Sequence, residues 1–128
     1  MCLVLTKNAR RQIAEEDIPC IKIIIKDGKK WMTPYQNIRI TPGTTVKSEL
    51  IVYGGLFNTK LINVGIHSFM PGCTAKILSE LDWFDGRGYS ARAINCIIPK
   101  GAEYYVGSFE SELNNAYASN QLQYPELF

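Results

Sequence analysis

The chain has 128 residues, 46% hydrophobic and 20% charged, a balance that excludes a disordered segment and fits one globular domain. No apolar run approaches the roughly 18 residues that cross a bilayer. No charged leader precedes the short apolar run Leu3-Val4-Leu5, so we expect a cytoplasmic protein with no membrane partner. The net charge of +2 is divided unevenly, because residues 1–64 carry ten Lys and Arg against five Asp and Glu.

The first half of the chain predicts short strands and one clear hairpin. Residues 3–5 form a strand candidate, and residues 9–17 predict a loop or one helical turn before Pro19. Residues 20–26 are dense in β-branched side chains, Asp27-Gly28 suits a tight turn, and residues 29–32 can return antiparallel. Short strands are expected at residues 38–40 and 46–53, the second running inward.

The second half predicts a broken strand, a helix and three more strands. Residues 61–69 form a strand that Gly65 interrupts, and residues 73–81 have helical spacing with Thr74 as a candidate cap. After a turn at residues 85–88, strands follow at 89–98, 103–106 and 117–124, with a loop at 108–115. We therefore predict an α+β, mainly β fold: a single domain over residues 1–128 with about seven mostly antiparallel strands and one short helix.

The cysteines predict buried thiols and no metal site. Cys2, Cys20, Cys73 and Cys96 include no Cys-x-x-Cys pair, and one histidine with scattered carboxylates composes no metal centre. We expect neither a metal nor a cofactor. Cys20 and Cys96 sit inside apolar runs, which predicts buried free thiols in a reducing compartment.

Several motifs along the chain carry a family resemblance. They are Met1-Cys2-Leu3, Glu16-Asp17-Ile18-Pro19-Cys20, Thr33-Pro34-Tyr35-Gln36, Gly65-Ile66-His67-Ser68-Phe69, Cys96-Ile97-Ile98-Pro99-Lys100-Gly101 with Tyr104-Tyr105, and Tyr117-Ala118-Ser119-Asn120. With these motifs the chain resembles a family of short proteins of unassigned activity, encoded by bacteria of the Bacteroides type and by phages or prophages. The resemblance spans nearly the whole chain and implies a phage- or mobile-element-related setting. It supplies no catalytic residue.

His67 and Ser68 are the catalytic candidates of the sequence. His67 is the only histidine, so a proton carrier that works near neutral pH is available only there. It could serve as base for Cys2, Cys73 or Cys96 as nucleophile, or act with a tyrosine. In a second interpretation, His67 holds a strand-to-helix junction by bonding two backbone groups. Cys2 could also act beside a free α-amine if Met1 is removed.

The basic first half suggests a further alternative. Lys22, Lys26, Lys29, Lys30 and Arg39 could bind nucleic acid if they share one face with exposed aromatic side chains. Lysines beside a hairpin also protect strand edges. Our leading expectation is an accessory or interaction protein without catalytic activity, which acts through an unidentified protein partner. The alternatives are a small enzyme centred on His67 and a nucleic-acid-binding protein.

Overall fold

The computed structural model describes residues 3–5, 9–34, 38–54, 60–108 and 115–128, and within these it contains twelve strands and one helix. The elements are β1 (Leu3–Leu5), β2 (Gln12–Ile13), β3 (Ile18–Asp27), β4 (Lys30–Met32), β5 (Thr45–Lys47), β6 (Ile51–Gly54), β7 (Lys60–Val64), β8 (Ile66–Phe69), α1 (Thr74–Asp85), β9 (Ser90–Ile98), β10 (Glu103–Gly107), β11 (Ala116–Ser119) and β12 (Gln121–Gln123).

The strands form two antiparallel sheets. In the large sheet the order is β2-β10-β11-β8-β3-β9-β12-β5, with β4 paired to β3. The small sheet has the order β1-β7-β6. The predicted class, mainly β with antiparallel strands and one helix, is therefore confirmed, although the described residues contain more strands than the seven or so expected.

Strand β3 is the centre of the large sheet. Its β-branched run pairs with β9 without interruption, from Ile18 opposite Ile98 to Lys26 opposite Ser90. Because side chains alternate across a strand, Ile23 and Ile25 point to one face of the sheet and Ile24 to the other. Both faces of β3 are covered, so the molecule has two hydrophobic cores.

Each core combines one face of the large sheet with the segments that cover it. The first core lies where α1 and the small sheet meet the large sheet, and consists of Leu3, Leu5, Ile23, Ile25, Leu50, Ile62, Phe69, Ile77, Phe84, Ala116 and Ala118. The second core is on the opposite face and consists of Ala14, Cys20, Ile24, Ile40, Ile66, Ile94, Cys96, Ile98, Ala102, Leu122 and Tyr124.

The predicted hairpin is confirmed, with its turn one residue further along. Asp27 still pairs with Lys30, so the loop is Gly28-Lys29 rather than Asp27-Gly28. Gly28 has φ of 64°, a left-handed conformation that glycine adopts without steric cost.

Two predicted strands are each divided in the structure. Residues 46–53 contribute β5 to the large sheet and β6 to the small one, and residues 117–124 separate into β11 and β12 at Asn120. The side-chain Oδ1 of Asn120 accepts a hydrogen bond from the backbone N–H of Glu103 at 2.9 Å, and the backbone N–H of Asn120 donates to the Glu103 carbonyl at 3.0 Å. These bonds hold the chain where it leaves β8 and β10 to join β9 and β5.

Other boundaries also differ from the prediction. Residues 9–17 contain the short strand β2, and residues 38–40 form only an isolated bridge between Arg39 and Met32. Helix α1 is longer than predicted, and Thr74 is its first residue rather than its cap. The loop expected at residues 108–115 falls largely on residues 109–114, which lie outside the described residues, as do Cys2, Tyr35 and Gln36.

The small sheet meets the large one where β1 crosses Gly107. Val4 and Ser108 exchange two backbone hydrogen bonds, of 2.9 and 3.0 Å. A Cβ atom at Gly107 would lie 2.6 Å from the Val4 carbonyl oxygen and 2.8 Å from Cγ of the buried Leu3. The two sheets can approach this closely only because position 107 has no side chain.

We expect Gly107→Ala to lower the free energy of unfolding by roughly 1–3 kcal/mol, because backbone atoms must move to admit the methyl group. Thermal denaturation should then show a melting temperature lower by several degrees. Gly54→Ala is the matched control, because nothing lies within 4 Å of a Cβ there. Equal melting of the two variants would contradict this account of the sheet junction.

Candidate functional site

A cavity of about 290 Å³ opens beside the central strand. Strands β3 and β8 pair only at Ile21 and Phe69. Beyond that pair β8 diverges, and β3 next pairs with β4 at Ile25 and Met32. The space between these two contacts is the cavity. It is lined by members of both cores, by Thr33, Pro34 and Ile38, by residues 46–48 and by the side of α1.

Lys22 lies in this gap. It stands between the buried Cys20 and Ile24 on the same face of β3, so alternation directs its side chain into the protein. Its Nζ donates a hydrogen bond of 2.7 Å to the carbonyl oxygen of His67 on β8. Lys22 therefore connects β3 to β8 by a side-chain hydrogen bond, just beyond their last backbone pair, Ile21 and Phe69.

The charge of Lys22 has no counter-ion among the described residues. Burial lowers the pKa of its ammonium to about 8, and the negative charge that Cys96 or Cys20 would carry as a thiolate opposes this shift. Burial also raises the pKa of Cys20 to about 11 and that of Cys96 to about 12, so both thiols are neutral near pH 7. The Glu80 carboxylate lines the same cavity but forms its ion pair with Lys76, at 3.4 Å.

The His67 ring is held between two backbone carbonyl groups. Its Nδ1 lies 3.1 Å from the Gly65 oxygen and its Nε2 lies 3.0 Å from the Ile62 oxygen. Burial lowers the pKa of His67 to about 4, the Ile62 carbonyl opposes this, and nearby Lys22 lowers the pKa further. Near neutral pH the ring is uncharged, carries one N–H and can donate to only one of the two carbonyls.

The position of His67 corrects the predicted junction. It lies in β8, just after Gly65, whose φ of 151° marks the passage from β7 of the small sheet to β8 of the large one. Its contacts reach back across that passage to Ile62. The ring lies between two backbone groups, as the structural interpretation predicted, but these groups belong to the passage between two strands, whereas α1 begins only at Thr74.

Ser68 does not form a catalytic pair with His67. As the next residue of β8 it points to the opposite face of the sheet, where it is 2% exposed. Its Oγ has no hydrogen-bond partner of ordinary geometry among the described residues, although its proximity to Cys20 lowers the pKa of that thiol against the effect of burial. The two catalytic candidates, His67 and Ser68, thus lie on opposite faces of the sheet.

The thiols are also separated from the histidine. Cys20 and Cys96 face each other across β3 and β9, are 1% and 2% exposed and are free, as predicted. They belong to the second core, whereas the His67 ring contacts Ile62 of the first. Cys73 donates to the Asn115 carbonyl at 3.4 Å. Among the tyrosines, Tyr124 lines the cavity, and burial raises its pKa.

The basic residues of the first half do not share one face. Lys22 lines the cavity, and Lys26 stacks over Trp31 at 5.4 Å from the ring centroid. Lys30 alternates with Trp31 on β4 and therefore points to the other face. Arg39 forms an isolated β-bridge with Met32 and therefore lies on the same face of the sheet as Lys30. The surface required for the nucleic-acid hypothesis is thus divided between two faces.

Sequence reasoning missed Lys22 as a site residue, because it was grouped with the hairpin lysines. The signal was present in the alternation of Cys20, Lys22 and Ile24, which places the lysine among buried side chains. Thr33, Ser48 and Glu80 also escaped notice, since they reach the cavity from three separate segments.

Comparisons with protein-family models, curated proteins and solved structures give no significant match to this chain. The family resemblance of the sequence therefore stays a prediction. Within the described residues, no helix is long and apolar enough to cross a membrane. The same residues contain no group of three or more His, Cys, Asp or Glu side chains that could hold a metal ion.

We expect the free energy of unfolding to fall as the pH is lowered from about 6.5 towards 4, by up to about 1.4 kcal/mol per pH unit. In this window the unfolded chain binds a proton at His67 that the folded protein excludes. Urea denaturation at a series of pH values measures the slope. His67→Gln keeps an N–H donor but does not titrate, so its slope should be smaller. Identical slopes for the two proteins would refute the buried neutral histidine.

Proposed function

We propose that this protein binds a small, mainly apolar molecule in the cavity between β3 and β8, and acts as a binding protein rather than as an enzyme. The observation that supports this proposal is the cavity itself. It has a volume of about 290 Å³ and lies where the central strand β3 stops pairing with β8 and begins to pair with β4. Native interiors are otherwise close-packed, and space of this size is costly unless a ligand uses it.

The lining has the composition of a ligand pocket. Apolar side chains form most of the wall, and those that belong to the two cores include Ile23, Ile40, Ile66, Phe69 and Phe84. A few polar groups join them, including the Lys22 ammonium and the Thr33 and Ser48 hydroxyls. Pockets for small molecules typically combine such apolar walls with a few polar groups that orient the ligand.

The arrangement of the candidate catalytic groups supports binding over catalysis. A general base needs a nitrogen that can accept a proton from a substrate, but both ring nitrogens of His67 face backbone carbonyls. Ser68 lies on the other face of the sheet. Of the nucleophiles predicted from the sequence, Ser68, Cys73 and Cys96 do not line the cavity, and burial raises the pKa of Tyr124, which does.

The predicted setting is compatible with this role. If the resemblance to phage and prophage proteins holds, the protein is a phage- or mobile-element-related accessory protein that responds to a small molecule. A protein partner would then distinguish the liganded from the unliganded form of the protein.

The cavity can be tested with octanol, a neutral apolar probe. We expect octanol to raise the melting temperature, since a ligand that binds only the folded state stabilises it. In NMR spectra of isoleucine methyl groups it should shift the signals of Ile40 and Ile66, which line the cavity, more than those of Ile62 and Ile98, which do not.

A blocking variant gives the decisive comparison. Ile38 lines the cavity and is 51% exposed, so Ile38→Trp should obstruct the space without disturbing a core and should weaken octanol binding. Ile13→Trp is the matched control, because Ile13 is 64% exposed and does not line the cavity. The proposal fails if octanol does not bind or if both variants bind it like the parent protein.

A further inference from the structure

We infer that the ligand is an amphipathic carboxylic acid whose carboxylate is bound by Lys22 and whose apolar tail lies against the cavity wall. This inference rests on the proposed function and specifies the chemistry of the same site. It is carried by the position of one ammonium group, by the hydrogen bonds that it leaves unused, and by the absence of a counter-ion among the described residues.

The Lys22 ammonium has donors to spare. An ammonium group carries three N–H donors, and one of them is used by the His67 carbonyl at 2.7 Å. The structure gives Lys22 no second hydrogen bond and no ion pair with a described residue. A partly buried charge without a counter-ion is costly. A ligand with a negatively charged hydrogen-bond acceptor would supply both the counter-ion and the acceptor for the Lys22 ammonium.

The groups around Lys22 leave that charge uncompensated. Cys20 on β3 and Cys96 on β9 are protonated near neutral pH, since burial raises both pKa values. His67 on β8 is neutral, because burial lowers its pKa. On α1, Glu80 pairs with Lys76, and at β5 the cavity is lined by a further cation, Lys47. An anion is therefore the complementary ligand.

The rest of the cavity selects the kind of anion. A phosphate ester carries close to two charges and needs several donors. Of the two lysines in the lining, Lys47 is exposed and only Lys22 is partly buried, so the site suits a single charge beside a mainly apolar wall. A carboxylate at Lys22 would leave its tail to contact Ile40 and Ile66 on one side and Phe69 and Phe84 on the other. Burial of such a tail against these side chains stabilises the complex, because it removes apolar surface from water.

Octanoate and octanol distinguish the carboxylate inference from the proposed cavity function, because they have the same hydrocarbon chain length and differ in charge. At pH 7 we expect octanoate to bind at least about tenfold more tightly than octanol, which corresponds to about 1.4 kcal/mol. Dissociation constants from the isoleucine methyl titration measure both. Lys22→Met keeps the length of the side chain and removes the charge, so it should bind octanol like the parent protein and lose the preference for octanoate.

Lys29→Met is the matched control, because Lys29 is an exposed lysine in the β3–β4 turn. It should keep the full preference for octanoate. If octanol binds but octanoate is not preferred, or if Lys22→Met keeps the preference, the carboxylate inference is overturned and the cavity function stands. If neither compound binds the parent protein, the cavity function fails and the inference with it.

The pH dependence of the parent protein provides a second measurement, which holds even if Lys22→Met does not fold. Since the pKa of Lys22 is about 8, the unliganded site loses its charge as the pH rises above that value. A bound carboxylate favours the ammonium, so octanoate affinity should fall by up to about tenfold per pH unit above pH 8. Octanol affinity should stay constant over the same range. Parallel pH profiles for the two compounds would also overturn the inference.

Discussion

The pairing of β3 with β9 is the constraint on which the rest of the structure depends. It is the longest uninterrupted ladder in the described residues, and it carries both cores, because alternate residues of β3 point to opposite faces. Ile23 and Ile25 pack under α1 and the small sheet, while Cys20 and Ile24 pack against the segments that contain Ala14 and Tyr124. Neither core could keep its shape if this ladder shifted by one residue, since every side chain would change face.

The other edge of β3 shows why the cavity lies where it does. On that edge β3 pairs first with β8, at Ile21, and then with β4, from Ile25 onwards. A strand that exchanges one neighbour for another leaves an interval in which neither is close enough to pair. Lys22 and Ile23 occupy the interval and line the cavity. The opening is thus a consequence of the topology, and the Lys22 bond to the His67 carbonyl spans it.

The sequence predicted the features that local patterns control. The β3–β4 hairpin, the break at Gly65, the position of α1 and the burial of Cys20 and Cys96 all follow from short runs of residues, and all are present in the structure. The divided strands could not be predicted in this way. The pattern of residues 46–53 predicts one strand, yet β5 pairs with β12, which is distant in the sequence, while β6 pairs with β7, the next strand along the chain. Such exchanges are set by long-range pairing, which no local pattern encodes.

The candidate site shows the same division between chemical identity and geometry. His67 and Ser68 stood out by residue type, but the structure directs one towards backbone carbonyls and buries the other on the opposite face. The charge of Lys22 predicts a solvated strand edge, because the sequence of a single strand does not reveal that both its faces are covered. A lysine in a strand covered on both faces requires a place for its ammonium. The sheet provides that place only in the interval between the β3–β8 pair and the β3–β4 ladder, so the partly buried Lys22 and the opening in the sheet explain each other.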